Sequence, residues 1–124
     1  MKNANLKIFE LLSPKYERDN IKLGLSRIKK VLLELGNPCK NIPAIQIIGT
    51  NGKGSIAAYL ENILFEAKKN FGVTTSPHLL DVCERIRVNK KNINKTDFEK
   101  IYRLIEEKFS TFELTPFEKS YAAL

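Results

Sequence analysis

Apolar positions along the chain change period several times, and each change marks an expected element. Ile21, Leu25, Ile28, Leu32 and Leu35 recur at helical spacing, with Leu23 and Val31 widening the stripe, and Gly36-Asn37-Pro38 supplies a stop. A shorter stripe from Leu6 to Leu12 predicts a helix halted by Ser13-Pro14. Ala44 to Ile48 is apolar on both faces except at Gln46, the pattern of a buried strand. Ser55 to about Asn70 then predicts a helix with Ile56, Leu60, Ile63, Leu64 and Ala67 on its inner side. Gly72 to Ser76 reads as a second strand, close enough behind that helix for a βαβ unit with a parallel neighbour, and Pro77 ends it.

Arg85 to Val88 alternates as a half-exposed strand and runs into the turn signal Asn89-Lys-Lys-Asn92. Thr96-Asp-Phe-Glu99 has the form of a capping box before a helix whose apolar side is Phe98, Ile101, Leu104 and Ile105, extending to Phe109. Thr115-Pro-Phe-Glu118 has the same form, with proline at the favoured first helical position. These elements predict an α/β fold of the P-loop type, a parallel sheet with flanking helices.

The junction between the first strand and its helix carries the candidate chemistry. Ile45-Gln-Ile-Ile-Gly-Thr-Asn-Gly-Lys-Gly-Ser55 passes from a β-branched run through a glycine-rich turn with one lysine into a helical pattern. Gly49, Gly52 and Gly54 allow positive φ and place no Cβ between main-chain N–H groups and an anion. The helix start near Ser55 adds unpaired N–H groups and a positive dipole end, and Lys53 can reach a terminal phosphate. The pattern departs from G-x-x-x-x-G-K-[ST], because Gly54 follows Lys53, the hydroxyl comes one position later, and the spacing from Gly49 is one residue short. Glycine in a strand-to-helix loop also serves ordinary geometry, but the flanking strand and helix meet the context such a motif requires, and the reading is a nucleoside triphosphate site.

Composition narrows the class. The 124 residues suit one modest domain, 43% hydrophobic and 28% charged. No apolar stretch approaches the roughly 20 residues of a membrane span, and the first residues lack the apolar centre of a signal peptide, so the expectation is a cytoplasmic protein without membrane partners. Cys39 and Cys83 have no C-x-x-C spacing and no histidine cluster, and read as ordinary reduced thiols. The net charge of +7 comes from scattered lysines without interleaved aromatics, a solvated surface rather than a nucleic-acid face. Only two plausible central strands precede the end of the sequence, and the carboxylate that would steady magnesium from the end of another strand has no convincing candidate after the second. The expectation is the front part of a larger catalytic unit.

Gly49-Thr-Asn-Gly-Lys-Gly-Ser55, Thr75-Ser-Pro-His-Leu79, Glu84-Arg-Ile86 and Thr115-Pro-Phe-Glu118, in that order and spacing, closely resemble the folylpolyglutamate synthase and dihydrofolate synthase family of the Mur ligase superfamily. Gly24-Leu25, Arg27-Ile28 and Leu35-Gly-Asn-Pro38 fit its opening segment, and the displaced hydroxyl is normal for the family. The resemblance covers Asn20 to Leu124 and implies that residues 1–124 are the N-terminal part of an ATP-binding domain of the Mur ligase central type, without the rest of that domain or the C-terminal domain. It implies ATP- and magnesium-dependent ligation of L-glutamate onto dihydropteroate, tetrahydrofolate or both through an acyl phosphate, with a complementary C-terminal fragment as a further partner. Phosphoryl transfer asks the protein mainly for positioning and charge neutralisation.

By the same resemblance, Asn51, Gly52, Lys53, Gly54 and Ser55 would hold ATP, with Lys53 neutralising charge on the transferred group, and Ser76 would bind magnesium. Without it, Ser76 reads as a hydroxyl satisfying main-chain groups before Pro77. His78, the lone histidine, is not a ligand in the motif. Thr115, Pro116, Phe117 and Glu118 would contact the pteroate, with Phe117 against the flat ring, although capping alone accounts for Thr115 and Glu118. Asn20, Ile21, Lys22 and Leu23 match a second pterin-contacting segment, while Ile21 and Leu23 also suit a core. Arg85 either serves the anionic end of the substrate or pairs with Glu84. The alternatives are a Mur-type ligase on a cell-wall precursor and a non-catalytic P-loop remnant acting as an interaction module; as a front part, the chain is not expected to turn over alone.

Overall fold

Backbone conformations that suit glycine and asparagine mark where the elements begin and end. The computed structural model describes residues 19–123 together with Glu10, Leu12, Ser13 and Lys15, so the helix expected over Leu6 to Leu12 falls mainly outside the described residues. The order is α1 (Ser26–Glu34), α2 (Lys53–Glu66), β1 (Gly72–Thr74), a 3-10 turn (Val82–Arg85), β2 (Ile86–Val88), β3 (Lys91–Asn92), α3 (Lys95–Lys108), a second 3-10 turn (Ser110–Phe112) and α4 (Pro116–Ala122). Residues 42–94 form one compact unit, and residues 1–41 with 95–124 form the other.

In the first unit, Asn89 and Lys90 carry φ of 47° and 69° and close a two-residue hairpin in which Val88 pairs with Lys91. Two consecutive positive φ values give the turn a twist that matches antiparallel strands. β1 pairs with the other edge of β2, also antiparallel, with Gly72 opposite Val88 and Thr74 opposite Ile86. The expected parallel pairing of Ala44–Ile48 with Gly72–Ser76 is therefore corrected: residues 44–48 form no strand, and Ile45 and Ile48 are 71% and 81% exposed. Among the described residues the one neighbour of β1 is β2, which residues 75–85 return to it as a local antiparallel partner. Arg85 likewise belongs to the 3-10 turn, and the strand begins at Ile86.

The inner side of α2 also differs from expectation. Ala57 and Glu61 are buried with Leu60 and Leu64 half-buried, while Ile56 and Ile63 are exposed. The helix is rotated because Glu61 is drawn inward by an ion pair with Arg87 of β2.

In the second unit, Gly24 has φ of 100°, which cannot continue a helix, so α1 starts later than the Ile21 stripe suggests and Ile21, Leu23 and Leu25 are exposed. Its end is as expected: Gly36 and Asn37 turn left-handed, and the Asn37 N–H donates to Leu32 O at 2.8 Å. Val31 packs with Ile105, Phe109, Leu114 and Ala123 in the core, flanked by Leu35, Ile101, Phe112 and Ala122. α3 buries Phe98, Tyr102 and Ile105, with Phe109 just beyond, while Leu104 faces out. α3 begins at Lys95, which puts Thr96 inside its first turn rather than at a cap.

α4 opens as expected. The Glu118 N–H donates to Thr115 Oγ1 at 3.2 Å, the Thr115 N–H donates to Glu118 Oε2 at 2.9 Å, and Pro116 takes the first turn. Arg27 Nε adds a bond to the same carboxylate at 3.2 Å. Burial alone would raise the Glu118 pKa, but the bonds from Thr115 and Arg27 outweigh it and hold the carboxyl below its ordinary value.

Phe109→Ala should destabilise the chain by about 3–5 kcal/mol in urea unfolding, as expected for an emptied aromatic core position; a loss under about 1 kcal/mol would contradict this packing. Because the Glu118 pKa is lowered in the fold, its contribution is full above the ordinary value of 4.5 and is lost as pH falls through the lowered value. Glu118→Gln should cost about 1–2 kcal/mol at neutral pH, and its gap to the parent should shrink below pH 4.5. A gap independent of pH would contradict the ionised pairing.

Candidate functional site

A helix leaves its first N–H groups without intrahelical acceptors, and the start of α2 leaves them uncapped. The first helical bond runs from the Ile56 N–H to Gly52 O at 3.0 Å, so the N–H groups of Lys53, Gly54 and Ser55 precede it. No side chain caps them, and the first turn holds no acidic residue. Gly52 sits at the cap with φ of 76°, and Gly49 has φ of 148°, conformations that disfavour any side chain. A Cβ at Gly52 or Gly54 would meet nothing within 4 Å, so the glycines leave open space over these donors. Lys53 folds back over the loop, its Nζ donating to Gly49 O at 2.6 Å and Thr50 O at 3.3 Å. Asn51, Gly52, Lys53, Gly54 and Ser55 are all exposed and adjacent, and the arrangement is an anion cradle with one cation poised beside it.

Ser76 lies in the same unit, on the loop that leaves β1, and is exposed. That loop is held from beneath. The Glu84 carboxylate accepts from the N–H groups of Leu79 at 2.8 Å, Leu80 at 3.1 Å and Asp81 at 3.0 Å. The bonds from Leu79 and Asp81 lower the Glu84 pKa most. Arg85 is only 3% exposed, and its Nε donates to His78 Nδ1 at 3.0 Å. Glu84 thus secures the loop through main-chain donors rather than through Arg85, and His78 is part of the loop's internal bracing. Among the described residues, no three His, Cys, Asp or Glu side chains gather where they could hold a metal ion.

The two segments expected at the pterin come together in the other unit. Arg27 joins them: its Nε reaches Glu118 Oε2, while its Nη2 donates to Lys22 O at 2.7 Å. Lys22 and Glu113 add an exposed ion pair at 3.7 Å. Asn20, Ile21, Lys22 and Leu23 are all exposed. In the facing segment Thr115 and Pro116 are half-buried, Glu118 is buried and committed to the capping box, and Phe117 is 44% exposed. Phe117, Ile21 and Leu23 are therefore the apolar side chains of these segments available to a flat ring. The bridging role of Arg27 is not legible in the sequence, because its carboxylate partner Glu118 lies 91 positions away along the chain.

No protein-family model matches the chain. It is 40% identical over 100 residues to the dihydrofolate synthetase of Saccharomyces cerevisiae, a match covering 79% of this chain and 23% of that protein. Its structure superposes on the Mycobacterium tuberculosis folylpolyglutamate synthase complexed with ADP at a TM-score of 0.83 and 29% identity, covering 98% of this chain and 28% of that one. The bifunctional folylpolyglutamate synthase/dihydrofolate synthase of Yersinia pestis complexed with AMPPNP and a Mn ion gives a TM-score of 0.78 and 34% identity, with 98% and 28% covered. The chain thus spans about a quarter of the length of the relatives it matches. Taken with the glycine-lysine loop and the Thr115–Glu118 box, these similarities show that the chain belongs, as an N-terminal portion, to the folylpolyglutamate synthase/dihydrofolate synthase family of the Mur ligase superfamily.

Proposed function

We propose that the chain supplies the nucleotide cradle and part of the pteroate surface of an ATP-dependent ligase that adds L-glutamate to dihydropteroate, tetrahydrofolate or both. The observation that carries this reading is the uncapped start of α2, with three N–H donors beneath the open space at Gly52 and Gly54 and Lys53 folded beside them. In this proposal Asn51, Gly52, Gly54 and Ser55 wrap the polyphosphate through their main chain. Lys53 exchanges its two carbonyl partners for phosphate oxygens and stabilises the charge that grows as the terminal phosphoryl group is transferred to the substrate carboxylate. The glutamate amine then attacks the acyl phosphate, forming the amide and releasing phosphate.

The residues fit a hard divalent cation: the Ser76 hydroxyl is an exposed oxygen donor, and such cations share their coordination between protein oxygens and phosphates. Magnesium, when bound, would neutralise phosphate charge. Ile21, Leu23 and Phe117 would hold the pterin ring, with Thr115 and Pro116 shaping its edge and Asn20 and Lys22 offering polar contacts. Residues 1–124 would then be the front of the ATP-binding domain, completed by further sequence of the relatives' kind. The names of the relatives favour this reading over a cell-wall ligase.

The test replaces the matching stretch of the yeast relative by residues 20–123 of this chain. The chimera should consume dihydropteroate or tetrahydrofolate in an ATP- and glutamate-dependent manner, and Lys53→Ala should lower its rate by about 10²–10³-fold. A well-folded chimera inactive on both substrates would overturn the proposal.

A further inference from the structure

We propose that Arg87 is a positioning residue, tying the loop that presents Ser76 to the helix that presents the phosphate cradle; this rests on the nucleotide reading above. Nothing in the motif resemblance touches Arg87 or Glu61, yet the Arg87 guanidinium bonds the Glu61 carboxylate, Thr75 and the Glu84 carbonyl together. Arg87 leaves the middle strand β2 and meets the Glu61 carboxylate through both Nε and Nη2, with Nε to Oε1 at 3.1 Å. Its Nη1 donates to Glu84 O at 2.7 Å and to Thr75 Oγ1 at 3.2 Å. Thr75 is the residue before Ser76, and its own hydroxyl donates to Glu84 O at 3.2 Å while its N–H donates to Arg85 O.

One guanidinium therefore holds three parts at once: α2 through Glu61, the residue preceding Ser76, and the carbonyl of the turn that braces the loop. Glu61 is buried, and it lies about two turns, or about 12 Å, along α2 from Lys53. A rigid helix transmits the position of one end to the other, so the bridge sets the offset between the Ser76 hydroxyl and the cradle. Lysine in place of Arg87 keeps the charge but lacks a planar fork for several acceptors. A divalent cation is sensitive to that offset because it must meet Ser76 and the phosphates together, whereas a nucleotide held by the cradle alone is not.

The experiment titrates ADP into the full chain in the presence of a chelator, then measures Mn²⁺ affinity of the ADP complex by electron paramagnetic resonance. Arg87→Lys and Glu61→Gln break the bridge from opposite ends. Each should leave metal-free ADP affinity within about twofold and weaken Mn²⁺ by about tenfold, the scale for residues that orient a metal ligand without touching the metal. The double variant should lose no more than either single one, because the pair acts as a unit. Unchanged Mn²⁺ affinity in both single variants overturns the inference, as does a parallel fall in metal-free ADP affinity, the sign of general loosening. If the parent chain binds ADP but Mn²⁺ adds nothing, the inference fails while the cradle stands; if it binds no ADP, the nucleotide reading fails as well.

Discussion

Main-chain N–H groups at a helix start must find acceptors, and this chain meets that constraint in opposite ways at two places. At α4 the donors are satisfied within the protein, by the Thr115 hydroxyl and the Glu118 carboxylate in reciprocal bonds. At α2 no side chain accepts from them: Gly52 caps the helix without a side chain, and Lys53 adds positive charge with no acidic residue in the first turn to offset it. The first solution gives a closed corner, the second an exposed row of donors. Exchanging the two sequences would stabilise the start of α2 and remove its capacity for anions.

Among the described residues, the two buried glutamates, Glu61 and Glu118, each pair with an arginine from another segment. Arg27 joins the Asn20–Leu23 stretch to the α4 corner, and Arg87 joins α2 to the strand and loop beside it. Each arginine also bonds main-chain carbonyls, which satisfies more of its donors than one carboxylate could. Such ties add limited net stability, since desolvation offsets much of the attraction, but they set the relative placement of loops that carry the candidate contacts. Glu118 illustrates the consequence: its position in the matched motif suggests a ligand contact, while its Oε2 accepts from the Thr115 N–H and from Arg27 and is thereby engaged in structure.

Local chemistry was the legible part of the sequence. The glycine-lysine turn, the stop at Gly36-Asn37, the Asn89-Lys90 turn and the Thr115–Glu118 box each depend on a few consecutive residues, and each appears where the residues place it. The non-local part was not legible. Ala44–Ile48 has the composition of a buried strand, but burial requires partners, and among the described residues no strand pairs with this segment. The inner side of α2 was misjudged because apolar spacing favoured Ile56 and Ile63, whereas the Arg87 ion pair turns Glu61 inward. Tyr102 was overlooked as a core residue because its polar tip weakens the apolar stripe, although its ring stacks on Phe98 at 6.2 Å.

The central claim is that the N–H groups at the start of α2 are the part of this protein that grips a polyphosphate. The most direct measurement follows backbone amide resonances of the isotopically labelled chain as ADP is added. The account predicts the largest shifts at Gly52, Lys53, Gly54 and Ser55, with little change along α4. Saturable ADP binding that leaves those four amides unmoved would contradict it.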